Sequence, residues 1–268
     1  MNLLNKNIVI TGASGGIGQA LAKQLAEQGA RLWLVGRNRP QLDVLRASLA
    51  HSHRHMLFTV TDYTDEEIVA LASCFHAGQR LDVLINNAGT SCFASLEHQT
   101  FTDIRAQLRA NVEIPLLLTR SLIHHFGAQG TILNVGSVLG EIGHPGYSVY
   151  CASKAALHRF SEALSRELST SGLSVLYVAP RATQTSLNSP AVTAMNKALG
   201  NKADTPEAVA TKIVQALQRN RLRSRMGTME RVFVRLNALF PALVDSTLRK
   251  KMPLISRFLH STPSSETP

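Results

Sequence analysis

Asn7-Ile8-Val9-Ile10-Thr11-Gly12-Ala13-Ser14-Gly15-Gly16-Ile17-Gly18 decides how the other residues of this 268-residue chain are read. Residues 7–10 form an apolar run without period-two alternation, which suits a strand buried on both faces of a parallel sheet. Residues 17–28 then read as a helix, apolar at 17, 21, 25 and 26 and closed by Gly29. Between strand and helix lies a glycine-rich turn. Glycines there let backbone approach a pyrophosphate closely, and the helix N-terminus offers it free N–H groups and a positive dipole end. Such a turn alone is weak evidence, because tight turns use glycine too. Its place between a first strand and a first helix gives it weight.

Further apolar runs at residues 31–35, 56–60, 82–85, 131–135 and 173–178 repeat the strand signal. Helical stretches separate them, and another helix starts at Thr205-Pro206-Glu207, with threonine as cap and proline in the first turn. This alternation predicts an α/β fold, a doubly wound parallel sheet of the Rossmann type in a single domain. Residues 1–227 are expected to form that catalytic unit. Residues 228–268 are expected to be a basic, amphipathic helical C-terminal extension, with a frayed tail from Ser261 to Pro268.

Composition narrows the function classes. Apolar residues make up 44% and aromatics 5%, an ordinary globular balance. No apolar run is long enough to cross a bilayer, and no signal peptide is read at the start. Cys74, Cys92 and Cys151 are scattered and show no metal-ligand pattern, so no metal is expected and a cytoplasmic location is. The net charge of +10 is lopsided: Arg219, Arg221, Arg223, Arg225, Arg231, Arg235, Arg249, Lys250, Lys251 and Arg257 face only Glu230 and Asp245. A basic end of this kind predicts either an anionic partner or a solvated surface. Nucleic acid is not expected, since interleaved aromatics are lacking beyond Phe233, Phe240 and Phe258.

The second strand ends Leu34-Val35-Gly36-Arg37-Asn38. In a dinucleotide fold an acid there bonds the ribose 2′-hydroxyl, whereas an arginine accommodates a 2′-phosphate. Arg37 in place of an acid therefore predicts NADP. Tyr150 and Lys154 are four apart in a helical stretch at 150–167, on one face a turn apart. A nearby ammonium stabilises a phenolate, so Lys154 is expected to lower the Tyr150 pKa. Tyr147 is a decoy, since its fourth neighbour is Cys151. Ser137 stands at the C-terminal end of the fifth strand, where such sheets face the ligand crevice, and its hydroxyl can donate to a substrate oxygen.

Thr-Gly-x-x-x-Gly-x-Gly at 11–18, Asn86-Asn87-Ala88-Gly89 after the fourth strand, and Tyr150-x-x-x-Lys154 together resemble the classical short-chain dehydrogenase/reductase family, from residue 5 to about 215. The adjacent Gly15 and Gly16 also fit the loop spacing of extended relatives that act on nucleotide sugars, but these carry a second domain for which this chain has no room. The resemblance implies an NADP-dependent oxidoreductase that moves a hydride between a nicotinamide and a small-molecule carbonyl or alcohol, and a homo-oligomer. It implies Tyr150 as general acid/base, Lys154 as its pKa modulator and ribose ligand, Ser137 as the group that polarises the carbonyl, and Asn111 in a proton relay. Gly12, Ser14, Gly16, Ile17, Gly18 and Arg37 fall at cofactor positions, as do Asp62 and Tyr63 at the adenine, Asn87, Ala88 and Gly89 at the riboses, and Thr185 at the carboxamide.

Substrate contacts are expected from Ser137, Tyr150 and Leu187, with Met195 and Leu199 as further apolar liners for a lipophilic compound. A non-catalytic NADP-binding sensor or scaffold is the alternative. Two departures from the family pattern stand out. Pro180-Arg181 replaces Pro-Gly, so this loop is expected to run differently and Arg181 to meet cofactor phosphates or an acidic substrate. Residues 223–227 are the only candidate for a final strand. In the extension, Val232, Leu236, Leu239, Phe240 and Leu243 form a stripe with Arg231 and Arg235 beside it. That stripe is expected to pack over the pocket or a partner subunit, or to lie peripherally on a membrane through residues 228–260.

Overall fold

A computed structural model describes residues 1–76 and 78–259, so the tail expected to fray lies outside the described residues. Its centre is a seven-stranded, wholly parallel sheet in the order β3-β2-β1-β4-β5-β6-β7. The strands are β1 (Asn7–Thr11), β2 (Arg31–Gly36), β3 (Met56–Thr59), β4 (Leu81–Asn86), β5 (Phe126–Val135), β6 (Ser174–Ala179) and β7 (Arg223–Arg225). Side chains alternate between two cores. Ile8, Ile10, Leu32, Leu34, Val83 and Ile85 point to one face and Val9, Trp33, Val35 and Leu84 to the other, which is why these strands read as unbroken apolar runs.

Helices α1 (Gly16–Glu27), α2 (Arg39–Ser48) and α8 (Pro206–Gln218) cover the first face through Leu21, Leu25, Leu42 and Ile213. Helices α3 (Asp65–Ser73), α5 (Ile114–Leu122) and α6 (Ser148–Glu167) cover the second through Ile68, Leu71, Leu118 and Leu164. Helix α4 (Phe101–Leu108) runs into a π-helical turn, Arg109–Glu113, that leads directly into α5. Gly29 takes φ +78° after α1, and Thr205 caps α8 by accepting from the Ala208 N–H. The order reverses between β1 and β4, the topological switch point at which such sheets bind ligands beyond their C-terminal strand ends.

Helix α7 (Pro190–Ala198) follows the loop after β6, and α9 (Thr228–Leu239) and α10 (Pro241–Leu259) complete the described chain. Pro241 restarts the helix, as its fixed φ allows at a first position. The residues these last helices turn inward are not the stripe read from sequence. Val234, Val244 and Ile255 are buried, whereas Val232, Leu239, Phe240 and Leu243 are exposed. Ile255, Phe258 and Leu259 join Phe93, Tyr147, Val192 and Met195 in a third small core beside α7.

The glycine turn tolerates no side chains at its two tightest points. Gly12 takes φ +62°, and a Cβ there would lie 2.8 Å from the Ala88 Cα; one at Gly18 would overlap the Gly12 carbonyl oxygen and lie 2.8 Å from the Ala13 Cα. Gly18→Ala is therefore expected to lower stability by about 1–3 kcal/mol, since backbone must move to admit the methyl. Gly143→Ala, whose Cβ meets nothing within 4 Å, should stay within about 0.5 kcal/mol. Urea unfolding midpoints of the two variants check the contrast.

Candidate active site

Two clefts meet at the C-terminal ends of β1, β4 and β5. The larger, of ≈ 530 Å³, is lined by Gly12, Ser14, Gly16, Ile17, Gly18, Arg37, Asp62, Tyr63, Asn87, Ala88, Gly89 and Thr185. Every residue expected at the cofactor is there except Tyr150 and Lys154, which line the adjoining cavity together with Asn87, Gly89 and Thr185. The N-terminus of α1 opens into this cleft with no side-chain cap and no acid in its first turn. Its N–H groups and dipole are thus left for an anion, the arrangement a dinucleotide pyrophosphate fits. Arg37 is exposed at the end of β2 and makes no ion pair among the described residues, whereas nearby Arg39 is held by Asp43.

Other expected cofactor residues turn out to hold the cleft's own walls. The Asn87 side-chain amide donates to the carbonyls of Thr11 (3.0 Å) and Gly12 (3.2 Å). Asp62 pairs with Arg109 at 3.3 Å, and Arg109 also donates to the Asp62 and Tyr63 carbonyls. The Tyr63 ring is buried in the second core, and burial pushes its phenol well above the usual range.

The adjoining cavity, ≈ 280 Å³, is lined by Ser137, Tyr147, Tyr150, Lys154, Arg181 and Leu187 among others. Tyr150 and Lys154 lie on successive turns of α6, with the ammonium 5.9 Å from the Tyr150 ring centre. Lys154 is buried and donates to the Val135 carbonyl at 3.1 Å. Burial pulls its pKa down to about 8. Burial likewise pushes the Tyr150 phenol up to about 12, against the opposing pull of the Ser137 hydroxyl beside it. The sequence reading had the ammonium lower this pKa. Desolvation, which disfavours phenolate, is the largest influence on it here, and the ammonium is not among the causes of its shift. Tyr147, the decoy, packs 5.8 Å from Tyr150 and also faces the cavity.

Asn111 is wholly buried in the π-helical turn. Its amide nitrogen donates to the Thr90 carbonyl (2.8 Å) and Ser153 Oγ (3.0 Å), and its oxygen accepts the Thr90 N–H (2.9 Å). Both donors are spent, so only a lone pair on Oδ1 is left to meet a water in a relay. Ser153 in turn donates to the Tyr150 carbonyl at 2.8 Å, so Asn111 also steadies α6 near Tyr150.

Sequence reasoning missed several of these supports. Thr90 and Ser153 carry no motif signal, and neither does Tyr177, whose hydroxyl accepts the Ser137 N–H and donates to the Ser137 carbonyl, both at 3.3 Å. Arg181 behaves differently from its reading. It is not among the residues with positive φ, so arginine strains nothing at that position. Its guanidinium grips Asp204 in two bonds (2.6 and 3.0 Å) and reaches Glu230 of α9 at 3.3 Å. Those carboxylates hold it in place, and it still lines the cavity. Met195 and Leu187 line the cavity, while Leu199 packs behind it.

The short chain dehydrogenase family model matches residues 6–196. YxnA, an uncharacterised oxidoreductase of Bacillus subtilis, is 31% identical over 260 residues, which are 93% of this chain and 73% of that protein. Nodulation protein G of Rhizobium sp. strain N33 is 36% identical over 181 residues, 66% of this chain and 73% of its own length. Among solved structures, a short-chain dehydrogenase from Streptomyces avermitilis is 29% identical with a TM-score of 0.76, covering 94% of this chain and 98% of that one. One from Burkholderia cenocepacia, solved in complex with NADP, shares the fold at 23% identity, with a TM-score of 0.78 over 92% of this chain and 99% of its own.

The buried ammonium makes stability depend on pH in a definite sense. Lys154 titrates at about 8 in the folded chain against 10.5 when unperturbed, so between those values the unfolded chain holds the extra proton and stability rises with pH. Relative to a Lys154→Met variant, the wild type should therefore gain Tm on going from near pH 7 to about pH 9.5. Paired thermal melts at the two values check this; a difference that ignores pH would mean that the ammonium is not strained by its burial.

Proposed function

The chain belongs to the short-chain dehydrogenase family, and from that premise we propose that it is an NADP(H)-dependent oxidoreductase acting on a lipophilic carbonyl or alcohol. One observation carries the reading. The half-buried Tyr150, the buried Lys154 and Ser137 line a cavity that adjoins the dinucleotide cleft through shared walls at Asn87, Gly89 and Thr185. When bound, the dinucleotide supplies or accepts the hydride.

The residues of the chain then divide the remaining work. Ser137, itself buried, donates to the substrate oxygen and stabilises negative charge growing there. Tyr150 gives that oxygen its proton in the reducing direction. A phenol held near 12 stays protonated at neutral pH, which suits an acid; the reverse reaction needs phenolate and should quicken as pH rises. Lys154, still cationic below its pKa of about 8, favours the phenolate as it forms and offers N–H donors to a ribose. Arg37 supports NADP over NAD, and Leu187, Val192 and Met195 support an apolar substrate. Free thiols at Cys74, Cys92 and Cys151 support a reducing, cytoplasmic setting, and exposed Phe101 and Leu108 on α4 give a homo-oligomer an apolar face.

A panel of aldehydes, ketones and acyl thioesters, read by loss of NADPH absorbance, tests the reading; no turnover with any class would refute it. Tyr150→Phe should cut kcat by roughly 10²–10⁴-fold and leave dinucleotide affinity near that of the wild type. Retention of most of the rate would pass the acid role to Tyr147. In calorimetry, Arg37→Ala should reduce the preference for NADP over NAD by about ten- to a hundredfold, as expected for one bidentate charge-assisted contact.

A further inference from the structure

Helix α9 has two unlike sides. Val234 is buried, and Asn237 donates to the Glu141 carbonyl at 3.3 Å, which fixes the side turned to the protein. On the other side Met229, Val232, Phe233 and Leu236 recur at three- and four-residue spacing, the repeat that aligns side chains along one face. The apolar face continues round the corner into α10. Met229 is 63% exposed, Leu239 71%, Phe240 56% and Leu243 61%. Scattered exposed apolar residues are ordinary, whereas a run of large ones along a single face marks a surface that meets something.

The charges beside that face separate into two groups. Arg181, Arg223 and Arg225, nearer the sheet, are neutralised by Asp204, Glu230, Glu162 and Glu141. Arg231, Arg235, Arg249, Lys250 and Arg257 are exposed, and among the described residues none of the five makes an ion pair. Glu230, one of the two acids of these helices, is turned inward to Arg181, which leaves Asp245 as the acid on their surface.

We propose that the outer face of α9 and the α9–α10 corner dock on an anionic lipid surface, apolar side chains in the interface and the five cations among the headgroups. This occupant answers both halves of the surface. Nucleic acid would answer the charge but offers little for Leu239, Phe240 and Leu243 to bury against. A second copy packed face to face about a twofold would set the same five unpaired cations against each other. A phospholipid interface takes up aliphatic side chains and attracts basic ones together. Contact is peripheral, since no described helix is long and apolar enough to cross a membrane.

The docked helices are also walls of the cavity. Glu230 lines it, and Ile255, Phe258 and Leu259 pack with Tyr147 and Met195 behind it. A lipid-soluble molecule leaving the interface would therefore find the cavity beside the docking face. The docking itself does not depend on how the reaction is read.

Co-sedimentation of the full chain with phosphatidylcholine vesicles, and with vesicles containing phosphatidylserine, tests the proposal. Binding should favour the anionic vesicles by roughly tenfold or more and weaken as salt rises. Two variants at exposed positions, Phe240→Ser/Leu243→Ser and Arg235→Glu/Arg249→Glu/Lys250→Glu, should each lower it by about tenfold or more with unchanged thermal melts. A protein that stays in the supernatant with both vesicle types, or variants that bind as the wild type does, would overturn it. So would sedimentation velocity showing an oligomer that Phe240→Ser/Leu243→Ser splits, because the face would then belong to a subunit interface.

Discussion

The hydroxyl of Thr11 accepts the main-chain N–H groups of Asn87 and Ala88, both at 3.0 Å, while the Asn87 amide returns bonds to the carbonyls of Thr11 and Gly12. These bonds join β1 to β4 at the point where their connections depart to opposite faces of the sheet. Without them the two strand ends would present unpaired polar groups in a buried crevice, a costly arrangement. The seam also fixes Gly12 against Ala88, and so sets the position of the N-terminus of α1 relative to the segment carrying Gly89. The cleft at the glycine turn and the cavity at Tyr150 are thereby held in one frame.

From that frame the support runs through hydrogen-bonded buried side chains, among which the Asn86 Oδ1 is left without a partner. Asn111 ties Thr90 to Ser153, Ser153 ties to Tyr150, and Lys154 holds Val135. Asn86, Asn134 and Ser161 make a second chain, with bonds of 2.8 Å at each step between β4, β5 and α6. Such networks give a site one geometry, because any shift leaves a desolvated donor without an acceptor. The π-helical turn belongs to the same economy of bonds: the wider turn carries Arg109 towards Asp62 and Tyr63 and Asn111 towards Thr90.

Most of the sheet could be read from sequence because strands buried on both faces leave uninterrupted β-branched and aliphatic runs. β5 was the exception. It begins at Phe126, five residues ahead of the expected start, since Gly127 and Gly130 look like turn residues and nothing local reveals the pairing of Phe126 with Leu81. Spacing likewise exposed Tyr150, Lys154, Ser137 and the glycine turn. It could not give the direction of the Tyr150 shift, because burial is a property of the assembled site. Nor could it anticipate the partners of Arg181, which lie 23 and 49 residues away in the chain. Periodicity identified the stripe on the last helices but not which side of them would face the protein.

Arg181 makes the cavity's roof an electrostatic latch. Where a glycine would leave a free hinge after β6, this arginine clamps the strand exit to Asp204, just before α8, and to Glu230 in the first turn of α9. Main-chain bonds from Gln184 N–H to Asp204 (2.9 Å) and from Asp204 N–H to Ala182 (2.8 Å) already tie the first two segments; the guanidinium fork reinforces that tie and adds α9 to it, through a planar geometry that lysine could not reproduce. All three side chains are only partly shielded from solvent, so mobile ions weaken the latch while the apolar cores beneath it are untouched. Rising salt therefore screens this fork at the rim of the cavity before it touches the packing of the sheet beneath.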